Sequence, residues 1–135
     1  MTDHAKGKGR MTRSEQSGPD IIKFATHKDF LGKDYLSPAQ RSILKAIYGL
    51  AMTTEERLVF LKMTEGRPPN PAGYREAVLV CGRRGGKTLI ASTIGSYEAV
   101  RWSPVLAEML EPGQTAKGII IAQNEKGANE ARSYV

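Results

Sequence analysis

Val78-Leu79-Val80-Cys81-Gly82-Arg83-Arg84-Gly85-Gly86-Lys87-Thr88-Leu89-Ile90 runs from an apolar segment through a loop of glycine and arginine into a helix-forming stretch. Strand, loop and helix in this order make a phosphate-binding loop, where backbone N–H groups and a helix N-terminus surround a polyphosphate. The pattern G-x-x-x-x-G-K-[ST] is met at Gly86-Lys87-Thr88, but its first position holds Cys81, and the nearest glycine is Gly82. In such a loop Lys87 reaches the β- and γ-phosphates and the Thr88 hydroxyl sits on Mg²⁺. The alternative is a strand-to-helix connection that happens to be basic. Three glycines beside Arg83, Arg84 and Lys87 make that alternative costly without an anion.

Outward from the loop, the chain reads as one modest domain of 135 residues, 40% hydrophobic and 25% charged, in the ordinary globular range. Its net charge of +6 is concentrated. Lys6, Lys8, Arg10 and Arg13 face only Asp3 in the first thirteen residues, the loop adds three cations, and elsewhere acids and bases cancel. The charge therefore marks a tail and an anion-binding loop, not a broad nucleic-acid face. Residues 1–20 are expected to be a disordered basic tail. One cysteine and two histidines exclude a disulfide framework and the common zinc sites, and suit a reducing cytoplasm. No apolar stretch is long enough to span a bilayer, and the N-terminus lacks the apolar region of a secretory signal.

Residues 21–36 read as a short helix or turn with an irregular lead-in. Ser37 as N-cap and Pro38 at the first helical position open a helix from Ala39 to Leu50, with Ile43, Leu44, Ile47 and Leu50 as its apolar stripe and Arg41, Ser42 and Lys45 off it. Gln40 lies in its first turn. Thr53 with Glu56 forms a capping box for a helix to about Met63, and Arg67 to Gly73 is loop, so that 51–76 is a helical and loop insertion. Ala77 to Cys81 reads as a central parallel strand. A helix from Lys87 to about Arg101 turns Leu89, Ile90, Ile94, Tyr97 and Val100 to a core, with Ala91, Ser92 and Gly95 small enough for close packing. Ser103-Pro104 starts a separate short helix. Gly118 to Ala122 reads as a second buried strand, followed by a helix from Glu125 to Val135. Strand, helix, strand, helix implies α/β architecture with a parallel sheet and right-handed crossovers.

Three segments carry a resemblance to the large terminase subunit of tailed bacteriophages, the motor that packages DNA into procapsids. Phe30-Leu31-Gly32 with Tyr35 to Arg41 resembles its glutamine motif and lead-in. Val78 to Ser92 resembles its variant Walker A loop, in which an arginine precedes Gly-Lys-Thr. Gly118 to Tyr134 resembles the next strand and helix. The resemblance implies the N-terminal portion of a P-loop NTPase domain of the RecA-like class over 21–135, with a parallel sheet, flanking helices and an incomplete C-terminal side.

It also implies ATP and Mg²⁺ as cofactors, bound by Gln40, Gly82, Arg83, Arg84, Gly85, Gly86, Lys87 and Thr88. Gln40 would hydrogen-bond the adenine edge, and Thr88 would hold the metal. Arg83 and Lys87 would act in catalysis, Arg83 on the γ-phosphate in cis; the reverse assignment of Arg83 and Arg84 stays open. The implied partners are double-stranded DNA, the small terminase subunit and the portal protein, in the cytoplasm of a bacterial host. No Asp follows Asp34, so neither the acidic Walker B pair nor the nuclease carboxylates have a counterpart, and no ATPase turnover is expected from residues 1–135. Two other readings share the loop. One is a glutamine-motif helicase fragment, disfavoured by the arginine before Gly-Gly-Lys-Thr and the missing Thr-Gly-Ser/Thr lead-in. The other is a non-catalytic truncated remnant.

Overall fold

The computed structural model describes residues 18–119, 121 and 125–133. Among these residues five helices follow in order: α1 (Ile21–Thr26), α2 (Pro38–Tyr48), α3 (Thr54–Met63), α4 (Lys87–Met109) and α5 (Glu125–Ser133). The described residues contain no β-strand, which overturns the α/β parallel-sheet class expected from the sequence. Ala77 to Cys81 is non-helical backbone with no ladder partner, and Val78 and Val80 stand 92% and 98% exposed. Of the second expected strand, Ile119 and Ile121 are exposed as well, while Ile120 and Ala122 lie outside the described residues. The physical reason is that a strand exists only in a pair. An apolar run supplies the side chains for a sheet, but its backbone groups need a neighbour at ladder distance, and among the described residues neither run has one.

The core lies instead between α1, α2 and α4. Ile21, Ile22 and Ala25 of α1 meet Leu36, Leu44 of α2 and Ile90 of α4, with Ile43, Tyr48, Leu50, Leu89, Ile94 and Tyr97 packed around them. Each fully buried leucine or isoleucine here stabilises the fold by about 1.5–3 kcal/mol. Asp20 caps α1 by accepting from Lys23 N at 2.9 Å. Residues 1–17 of the expected tail lie outside the described residues. An aromatic seam joins α1, α2 and α4: the Phe24 and Tyr97 rings are 5.3 Å apart, and Tyr48 meets Tyr97 edge-on at 5.1 Å. Tyr97 Oη donates to Pro19 O at 3.1 Å.

Ser37 and Pro38 start α2 as the sequence predicts, and Gln40 completes a reciprocal capping box. The helix ends at Gly49, whose left-handed backbone (φ 66°) lets the Leu50 N–H bond back to Lys45 O at 2.8 Å. Residues 64–74 close over that end. Tyr74 N–H donates to Ile47 O at 2.9 Å, and Asn70 Nδ2 donates to Gly73 O at 3.1 Å. Gly49 and Gly73, both left-handed, lie back to back, so that a Cβ on either would meet the other's backbone.

α3 opens on the expected capping box, with Glu56 N–H donating to Thr53 Oγ1 at 3.2 Å and Thr53 N–H to Glu56 Oε2 at 2.8 Å. The carboxylate has a second task. It is buried, and it receives Lys45 Nζ at 2.7 Å and Arg41 Nε at 3.1 Å from α2. Burial on its own pushes this carboxyl up, but the Lys45 and Thr53 hydrogen bonds, with Arg41 and the Lys45 charge, outweigh it and hold it at about 2. Ser42, read as lying off the apolar stripe, is wholly buried at the same contact, its Oγ 2.8 Å from Glu56 O and 2.6 Å from Pro38 O.

α4 corrects a second expectation. The helix passes through Pro104 without a break and ends at Met109, so no separate helix begins at Ser103. A proline removes one ladder bond and costs about 3 kcal/mol inside a helix, yet the turns on either side persist. Towards the core α4 buries Ser92, Thr93 and Ser96 beside Ile90, while Val100 is exposed. Those hydroxyls donate to carbonyls of their own helix, Thr93 to Leu89 O at 2.7 Å and Ser96 to Ser92 O at 2.8 Å, so their burial leaves no donor unmet. α5 lies alongside α4 and buries no side chain. No helix among the described residues is long and apolar enough to cross a membrane.

Candidate functional site

The loop between Cys81 and α4 is built from backbone. Gly85 N–H donates to Gly82 O at 3.1 Å, closing a tight turn around Arg83 and Arg84. Arg84 (φ 62°) and Gly86 (φ 73°) both take left-handed backbone, and α4 starts at Lys87 immediately afterwards. Left-handed residues set into such a turn direct successive N–H groups towards one side, the concave nest in which anions bind. Gly86 is the N-cap, and no side chain caps α4. Its first-turn N–H groups, which have no partner within a helix, therefore face the loop together with the positive end of the helix dipole.

Around this nest the side chains fall into two groups. Arg83, Arg84 and Lys87 are exposed cations, and Thr88 is half-buried in the first turn of α4. Gln40 comes from α2 and is half-buried. Its Nε2 lies in the space that a side chain on residue 86 would occupy, and the left-handed backbone of that residue (φ 73°) favours glycine there. The structure thus brings Gln40 to the loop, together with all the loop residues the sequence selects. Its carbonyl oxygen accepts from Ser37 N–H at 2.9 Å while Gln40 N–H donates to Ser37 Oγ at 3.2 Å, which leaves the oxygen a second lone pair. That second role was readable, since Ser-x-x-Gln before an apolar stripe is a capping-box signature.

Among the described residues no three of His, Cys, Asp or Glu gather to hold a metal. A Mg²⁺ ion needs few protein ligands when phosphates and water supply the rest, so the Thr88 hydroxyl is a chemically suitable contact for an ion arriving with a polyphosphate. Compared with known protein families, curated proteins and solved structures, the chain matches none.

The left-handed Arg84 gives a local test. A non-glycine residue there costs roughly 1–2 kcal/mol, and glycine removes that cost while adding about 0.5–1 kcal/mol of unfolded-state entropy. Arg84→Gly is expected to unfold at the same denaturant midpoint as the parent or slightly higher. A midpoint lowered by the equivalent of more than about 1 kcal/mol would show that the arginine side chain itself holds the loop.

Proposed function

We propose that residues 82–88 bind the triphosphate of ATP together with Mg²⁺, and that the chain serves as the ATP-binding part of a phage terminase large subunit. In that role it would act with double-stranded DNA, a small terminase subunit and a portal protein in the cytoplasm of a bacterial host. The observation that supports the binding step most is the pairing of left-handed Arg84 and Gly86 ahead of an uncapped 23-residue helix. Those backbone donors, with three cations beside them, form an anion cradle that needs no sheet to be complete. Lys87 supplies a point charge to the terminal phosphates, Thr88 a hydroxyl to the metal, and Arg83 or Arg84 a planar donor fork to phosphate oxygens.

Calorimetric titration of the chain with Mg·ATP tests the proposal. A charge-assisted hydrogen bond contributes about 1.5–3 kcal/mol, so Lys87→Ala is expected to weaken binding by roughly 10- to 100-fold. No saturable binding by the parent chain, or equal affinity in Lys87→Ala, would overturn it.

A further inference from the structure

We infer that Tyr35 is a stacking platform for the base of the nucleotide whose phosphates lie at residues 82–88. The inference rests on the phosphate-binding reading and adds to it a second contact, beyond the ribose. Among the described tyrosines, Tyr48 and Tyr97 meet in the aromatic seam, and the Tyr74 hydroxyl accepts from Asn70 N–H at 3.1 Å. Tyr35 has no such task. It is 73% exposed, and among the described residues no ring, cation or hydrogen-bond partner meets its side chain. A single exposed ring is ordinary on a protein surface, so its placement has to carry the case.

That placement is fixed on both sides. Leu36, the next residue, is buried in the core, and Ser37 is held in the capping box that opens α2. Upstream, Lys33 N–H donates to Ala25 O at 2.8 Å. A ring carried on so short an anchored stretch can stack without first ordering a loop, which keeps the entropic cost low. The same anchors bring Tyr35 to the phosphate loop. Ser37 N–H donates to Gln40 Oε1 at 2.9 Å, and Gln40 Nε2 adjoins Gly86. Two peptide units separate Tyr35 from Ser37, so its Cα stands no more than about 15 Å from that of Gly86. The ribose and phosphates of a nucleotide, with the length of the tyrosine side chain, cover that span. Every base has a π-face, so such a platform adds affinity without choosing among bases.

Titration of the intact chain and its variants with Mg²⁺ complexes of ATP, GTP and inorganic tripolyphosphate tests this. Tyr35→Ala is expected to weaken ATP and GTP by roughly 5- to 100-fold and to leave tripolyphosphate within about twofold of the parent. Tyr35→Phe should keep all three affinities, because stacking needs the ring and not the hydroxyl. Unchanged ATP and GTP affinity in Tyr35→Ala would overturn the inference. So would an equal loss for all three ligands, which would show an effect on the loop, or a loss in Tyr35→Phe as large as in Tyr35→Ala, which would show a hydroxyl contact. Should Tyr35→Ala not fold, proton NMR of the parent still decides: ATP should move the Tyr35 ring resonances upfield and tripolyphosphate should not, and no such difference would refute stacking. If the parent binds none of the three, the phosphate-binding reading fails and takes this inference with it.

Discussion

Gly73→Ala is expected to destabilise the protein by about 3 kcal/mol or more and to lower Tm by roughly 10 °C or more. Two costs combine. Residue 73 has φ +72°, where a side chain costs about 1–2 kcal/mol. The new Cβ would also lie 2.5 Å from Ile47 O and 3.0 Å from Gly49 N, and both are backbone atoms that cannot swing aside as a side-chain tip can. Forcing them apart pulls at the Tyr74–Ile47 hydrogen bond and the left-handed end of α2. Gly66→Ala separates the two costs, because position 66 has φ +83° with nothing within 4 Å of the point where the methyl would stand, leaving strain alone. Thermal melts of both variants check the claim, and equal losses in the two would refute the close-approach argument. Since α2 also carries Gln40, Gly73→Ala should weaken triphosphate binding from the far end of the helix.

The second large effect is acid sensitivity through Glu56. Its carboxyl titrates at about 2 in the folded protein against an ordinary 4.5. A depressed folded value means the unfolded chain binds the proton more readily, so the stabilisation is complete above pH 4.5 and disappears as pH falls towards 2. The shift corresponds to roughly 3 kcal/mol. Denaturant unfolding of parent and Glu56→Gln at about pH 7, 4.5 and 3 isolates this contribution, because glutamine can keep one acceptor for Thr53 N–H and loses the titration together with the charge that pairs with Lys45 and Arg41. The parent should lose more stability than the variant on acidification. Parallel profiles would show that Lys45 and Arg41 do not hold the carboxylate in solution.

What could be read from the sequence follows the range of the interactions involved. Ser37 with Pro38, and Thr53 with Glu56, mark helix starts because a cap is formed within four residues of itself, and both starts are found where expected. The run Ala77 to Cys81 misled because a sheet depends on partners far along the chain, and an apolar run looks the same whether a partner exists or not. Pro104 misled in the opposite direction, since a local breaker was overridden by the helix around it. Glu56 was legible as a cap but not as the anchor of Lys45 and Arg41, which spacing within one helix cannot reveal. At the site, glycines and cations pointed to the loop, whereas only the folded chain shows that the Gln40 side chain packs against Gly86.

The network around Glu98 turns the protein into its own optical instrument. Trp102 is the one tryptophan of the chain, and its Nε1 donates to Glu98 Oε2 at 2.7 Å. The other carboxylate oxygen accepts from Tyr48 Oη at 2.6 Å, and the Arg101 guanidinium lies 5.8 Å from the indole ring. Indole emission is sensitive to a neighbouring carboxylate and cation, so any loosening of α2 from α4 registers as a change in intensity or wavelength. Unfolding and refolding can therefore be followed in the unlabelled protein, at micromolar concentration, through the very contact that joins the helix carrying Gln40 to the helix that begins at Lys87.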